Sequence, residues 1–128
     1  MNLEITSLTA GLLALLYTVL SILVIKYRMK EGQTLDVPEG LIRRTVRAHG
    51  NFAEYTPLVL VLMALVEIQG ELAEHWFTML AGIFILGRIG HAYSIVIFEE
   101  KYKTIRFRQV AMFATFIPMF AFALVLIF

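Results

Sequence analysis

Cysteine is absent from this 128-residue chain, which excludes disulfides, thiolate metal sites and a cysteine nucleophile. Any thiol chemistry must therefore use the thiol of a substrate. Charge is scarce too: Asp, Glu, Lys and Arg make up only 16% of the residues, too few for a soluble domain of ordinary composition. Three prolines and eight glycines leave no low-complexity linker, and neither a second domain nor an internal repeat is discernible, so residues 1–128 read as one small bundle. The formal net charge of +1 carries no instruction about partners, but the distribution of charge does.

Hydrocarbon fills the space that charge leaves. Apolar residues make up 59% of the chain and its mean hydropathy is +0.78, which marks an integral membrane protein. Residues 5–25 and 109–128 contain no charge, and at about 1.5 Å of rise per residue each can cross a hydrocarbon core of roughly 30 Å. Two middle stretches, 46–68 and 76–98, are apolar only over 55–66 and 76–87; the remainder carries Glu54, Arg88 and His91. The fold class is all-α, an antiparallel up-down bundle of four membrane helices over about 4–28, 37–69, 75–98 and 107–128. Asp36, Pro38 and Glu39 resemble an N-cap, a first-turn proline and a capping-box acid for the second helix.

Loop charges orient the bundle. Residues 26–47 hold six basic residues, Lys26, Arg28, Lys30, Arg43, Arg44 and Arg47, and residues 101–108 hold Lys101, Lys103, Arg106 and Arg108. Segment 67–75 has neither Lys nor Arg. The positive-inside rule then directs both basic links to the cytoplasm and both termini outside. The first span lacks a basic leader region and a small-residue cleavage site, so it reads as a retained helix.

The polar halves of helices two and three fall on the same side of the membrane. Ionisable groups at that depth cost a few kcal/mol each and usually face a partner or ligand. Glu54 and Arg88 lie equally far from the acidic link, so the simplest reading is a structural ion pair. That pair leaves much of the cluster unused. At 100° per residue Arg44, Arg47, Asn51 and Glu54 fall within about 80° of one another on helix two, and Arg88 and His91 share a face of helix three. Guanidiniums bind carboxylates bidentately, a carboxylate suits an ammonium, and an amide both donates and accepts, so this set complements a small zwitterion rich in carboxylate. Basic residues at a helix mouth also reach lipid headgroups. Gly82, Gly87 and Gly90 are expected to let helices approach closely, the phenylalanines of the last span to pack and meet lipid, and Trp76 to anchor the outer interface.

Arg47-Ala-His-Gly-Asn51-x-x-Glu54-Tyr55-x-Pro57 resembles the second-helix signature of the membrane-associated proteins in eicosanoid and glutathione metabolism, the MAPEG family. Chain length, four spans, Gly87-Arg88-x-x-His91 and an arginine opening helix four extend the resemblance. Short links and the lack of a retention signal suggest a bacterial-type, microsomal glutathione transferase-like member. The resemblance implies a homotrimer with glutathione as co-substrate, bound between subunits in the cytoplasmic half of the membrane. Arg44 and Arg47 would hold its carboxylates, Asn51 its backbone and Glu54 its γ-glutamyl ammonium, with Tyr55, Arg88, His91 and Arg28 in or near the same pocket. Arg108, with Arg106 as competitor, would be the catalytic group: its fixed charge favours thiolate over thiol. The activity implied is conjugation of glutathione to lipophilic electrophiles, with peroxidase activity as a related reaction.

Some features depart from the family pattern. Several relatives carry tyrosine three or seven residues after the helix-three arginine, where this chain has His91 and Ile95. Tyr93 points about 140° away from Arg88. The link before Arg108 is longer than in the eicosanoid enzymes. Other classes compete: a small four-helix multidrug-type transporter, which would need a carboxylate in the first span that residues 5–25 lack; a haem carrier using His49 and His91; and a non-catalytic membrane protein.

Overall fold

Four long helices, each of a length and apolarity that can cross a membrane, make up the computed structural model, which describes residues 3–31 and 40–128. They are α1 (Glu4–Glu31), α2 (Gly40–Gln69), α3 (Glu74–Tyr102) and α4 (Arg106–Ile127). The capping role expected of Asp36, Pro38 and Glu39, and the expected helix start near 37, lie outside the described residues. Both α2 and α4 run through an internal proline, Pro57 and Pro118, without interruption.

Side chains near the helix ends define the topology. The Glu67 carboxylate, near the end of α2, accepts the backbone N–H groups of Ile5 and Thr6, at 2.9 Å each, so α2 ends where α1 begins. At the opposite end Arg44 of α2 meets Glu100 of α3, and Arg108 of α4 meets Glu99. The helices therefore alternate up and down, with one acidic and one basic end.

Glu67 does two things for α1. It satisfies two N–H groups that have no partner inside a helix, and it sets a negative charge at the positive end of the helix dipole. Glu67→Ala is expected to lower stability by about 1–2 kcal/mol, the usual cost of losing a cap. Glu67→Gln keeps one acceptor oxygen and should fall between. Thermal unfolding in detergent, followed by circular dichroism, checks that order. On the far side of the turn Gly70 takes φ +69°, the left-handed conformation that side chains disfavour, and donates its N–H to Val66 O at 3.0 Å.

The third helix outlasts the expected boundary at 98. Over Ser94–Phe98 it becomes π-helical, with the Glu99 N–H donating to Ser94 O, and then completes another turn to Tyr102. Lys103, at φ +50°, stops it and donates its N–H to Glu99 O. Apolar patterning ends at Phe98, but backbone hydrogen bonding continues beyond the hydrocarbon, so hydrophobicity underestimates the helix. Only Lys103, Thr104 and Ile105 connect it to α4, which begins one residue before the expected 107.

The most extensive packing is α3 on α4 and α1 on α2. Gly87 makes the first possible: a Cβ there would stand 2.9 Å from Ala114 Cβ and 3.1 Å from its carbonyl oxygen. Gly82 has no such neighbour within 4 Å, so its expected role in close approach is not met within the chain. Gly87→Ala should therefore cost about 1–3 kcal/mol by overpacking, while Gly82→Ala should be neutral or slightly stabilising. Paired melting curves of the two variants separate the outcomes. The core itself is hydrocarbon, including Leu13, Leu20, Phe52, Val59, Met63, Phe77, Phe84 and Phe122. Phe122 faces inward, whereas Phe113, Phe120 and Phe128 are exposed.

Candidate functional site

Arg88 lies at the base of the basic end, on α3, and is only 1% exposed. A guanidinium so placed needs acceptors, because neither hydrocarbon nor water can solvate it there. It donates to Asn51 Oδ1 of α2 at 2.9 Å and to Thr115 Oγ1 of α4 at 2.7 Å, and it touches Met112 Sδ at 3.6 Å. Thr115 passes the bond on to Ala111 O at 3.2 Å. The Tyr55 ring covers the guanidinium at 5.8 Å and meets Phe116 edge-on. Arg88 thus ties three helices together.

The expected Glu54–Arg88 ion pair is not formed. Glu54 is exposed and makes no ion pair or hydrogen bond among the described residues. It stands three residues beyond Asn51, offset from it by about 60° round the helix, so the amide faces Arg88 and the carboxylate does not. This substitution settles the direction of the amide. Arginine only donates, so Asn51 must turn its oxygen to Arg88, leaving its NH₂ group to point elsewhere.

Above Arg88 opens a cleft of about 200 Å³ lined by Arg47, Asn51, His91, Ile95, Arg108 and Met112. Four residues singled out from the sequence meet here, two from α2 and one each from α3 and α4. No acidic side chain lines the cleft, so its polar surface presents guanidinium and amide donors beside a neutral or cationic imidazole. Such a surface takes carboxylates and other anions. A larger cavity, about 490 Å³, lies at the opposite end among Glu4, Glu67 and Glu74; its lining has no basic side chain.

The other expected residues lie around this cleft rather than in it. Arg44 is engaged with Glu100 at 2.8 Å. Tyr55 is turned to Arg88 and Phe116, and Glu54 projects outward. Arg106 is exposed at the first turn of α4, and Arg28 is half-buried near the end of α1; neither lines the cleft. Arg108 does, while its guanidinium contacts the Glu99 carboxylate at 3.2 Å. His49 turns the other way, stacking on Tyr17 at 4.7 Å with Nε2 3.2 Å from Ser21 Oγ. His49 and His91 therefore share no common cleft, which removes the basis for paired haem ligation.

Sequence reasoning missed Thr115, Met112, Glu99 and Glu100. Thr115 was accessible in principle, since it follows Arg108 by seven residues and falls on the same helical face. The two glutamates were hidden by the underestimated length of α3.

A four-helix membrane bundle with a donor-lined cleft among α2, α3 and α4 defines the class of protein. The chain belongs to the MAPEG family, whose sequence profile matches residues 6–128. It is similar to the inner membrane protein YecN of Escherichia coli (strain K12), with 34% identity over 113 residues, covering 87% of this chain and 81% of the relative. The protein of the same name from Escherichia coli O6:H1 matches to the same extent.

Proposed function

We propose that this chain is a glutathione-dependent transferase of the bacterial inner membrane, conjugating glutathione to lipophilic electrophiles and working as a homotrimer. The observation that carries this reading is the convergence of Arg47, Asn51, His91 and Arg108 on one cleft that offers donors and no carboxylate. Glutathione brings two carboxylates, two peptide groups and a thiol, which are the acceptors such a surface lacks. Arg47 and the Asn51 NH₂ group bind the carboxylate and backbone portions, Arg44 assists at the mouth, and Arg108 faces the sulfur.

The ammonium end needs a carboxylate, and the cleft has none. Glu54 is exposed and unpartnered among the described residues, on a helix that lipid surrounds unless another copy covers it. Burial of that charge against a neighbouring subunit relieves its cost and supplies the acid for the γ-glutamyl ammonium, which is the argument for assembly. By the positive-inside rule the basic end, and the cleft with it, faces the cytoplasm.

The reaction follows from charge. The thiol loses its proton to water, and Arg108 stabilises the sulfur anion that remains. That sulfur attacks an electrophilic carbon delivered from the bilayer, forming a C–S bond while the leaving group departs with its electron pair. With a lipid hydroperoxide the same sulfur attacks the terminal oxygen, releasing an alcohol and a sulfenic acid. A second glutathione then gives a disulfide and water. No covalent enzyme intermediate is required; the protein supplies proximity and a fixed field. The purified chain in detergent should show thiolate absorbance on adding glutathione, and Arg108→Ala should lose it. Wild-type protein that neither binds glutathione nor ionises it defeats the proposal.

A further inference from the structure

The thiol-facing cation is already occupied. Arg108 Nη1 stands 3.2 and 3.3 Å from the two carboxylate oxygens of Glu99, with the side chains 27% and 19% exposed, so the contact is more than a surface pair. Glu99 Oε1 is buried and has no well-aligned hydrogen bond, a carboxylate oxygen held beside a cation without full satisfaction. The π turn is what brings it there. Between Ser94 and Phe98 the helix gains a residue per hydrogen-bonded turn, and the added turn that follows carries Glu99 beside the first turn of α4, one turn beyond cleft-lining Ile95. Such π turns recur at functional sites because they re-aim the residues that follow.

We infer that Glu99 is a resident counter-ion of Arg108 that a bound thiolate must displace, so that this carboxylate sets how much of the arginine's charge reaches the sulfur. The inference rests on the glutathione reading of the cleft. The carboxylate neutralises a cation that lipid and protein would otherwise solvate poorly. As an anion enters the cleft, the guanidinium fork turns from one anion to the other and Glu99 moves toward the aqueous mouth, where water solvates it. Glu99 is then a positioning residue: it acts on the sulfur only through Arg108. The adjacent Glu100 does not share this role, because it pairs with Arg44 and Lys103 outside the cleft.

The test is a double-variant cycle on the full-length chain in detergent: wild type, Glu99→Gln, Arg108→Ala and the double variant. Each is titrated with glutathione and with S-methylglutathione, and thiolate absorbance is read at pH 7. Removing the competing charge should tighten glutathione binding and raise the ionised fraction by about fivefold, the factor for a partly buried ion pair of around 1 kcal/mol. S-methylglutathione, which cannot ionise at sulfur, should gain much less. In the Arg108→Ala background the Glu99 change should do nothing. If Glu99→Gln is recovered unfolded, Glu99→Ser repeats the comparison in a smaller volume.

Equal binding and equal thiolate in wild type and Glu99→Gln would overturn the counter-ion role while leaving the transferase reading intact. An effect that persists without Arg108 would overturn it too, by showing that Glu99 acts directly. Absence of glutathione binding in all four proteins would instead sink the transferase reading, and this inference with it.

Discussion

Arg108→Ala is expected to lower the rate of glutathione conjugation by about 10²–10³-fold while changing glutathione affinity far less, as happens when one fixed donor to a developing anion is removed. Arg108 lines the cleft together with Arg47 and Asn51, so under the proposed function the tripeptide portion of glutathione would keep its contacts when Arg108 is lost. What disappears is the charge opposite the sulfur. Thiolate absorbance should vanish, and turnover should fall with it. Arg106→Ala is the companion: Arg106 is exposed and lies off the cleft, so its loss should change the rate by less than about threefold, within the effect of a remote surface charge. Steady-state kinetics with one lipophilic electrophile distinguish the two arginines. A large effect at 106 with none at 108 would reverse their roles.

The second large effect belongs to Arg88, which does not line the cleft. Arg88→Met fills much of the same volume but donates nothing, so Asn51 Oδ1 loses its partner and the amide is free to rotate. With its oxygen turned toward the cleft, Asn51 would face the acceptors of the ligand with another acceptor. A mispaired, partly buried polar group costs about 1–3 kcal/mol, which corresponds to a loss of glutathione affinity of roughly 5- to 150-fold. Stability should fall less than that chemistry suggests, because replacing a buried charge with well-packed hydrocarbon recovers the desolvation cost. Arg88→Ala, which also leaves a cavity, should in addition lower stability by about 2–4 kcal/mol. Calorimetric titration and melting curves on both variants separate orientation of the amide from mere packing.

The legible and illegible parts of this protein divide along physical lines. Spans, their alternation and the two ends of opposite charge follow from hydropathy and loop composition, because a bilayer punishes any other arrangement. The helix faces carrying Arg47, Asn51 and His91 were readable at 100° per residue, Arg108 was implied only by the family resemblance, and the structure brings those four to one cleft. Partner choice was not readable. Glu54 and Arg88 match in depth, yet a 60° rotation decides that Asn51 takes the bond, and depth arguments contain no azimuth. Thr115 and Met112 gave no polar signal strong enough to stand out within an apolar span. Glu99 escaped because hydrophobicity ends at Phe98 whereas the backbone ladder does not, and a π turn has no sequence pattern that periodicity can detect.

Under the proposed function the cleft among α2, α3 and α4 recognises the carboxylate end of glutathione while Glu54 takes the amine. One binding titration tests it: glutathione against an analogue lacking the glycine carboxylate and another lacking the γ-glutamyl amine, each with wild type, Arg47→Ala and Glu54→Gln. Arg47→Ala should weaken glutathione but not the analogue without the carboxylate, and Glu54→Gln should weaken glutathione but not the analogue without the amine. Losses that ignore this pairing, or wild-type protein indifferent to all three ligands, would contradict it.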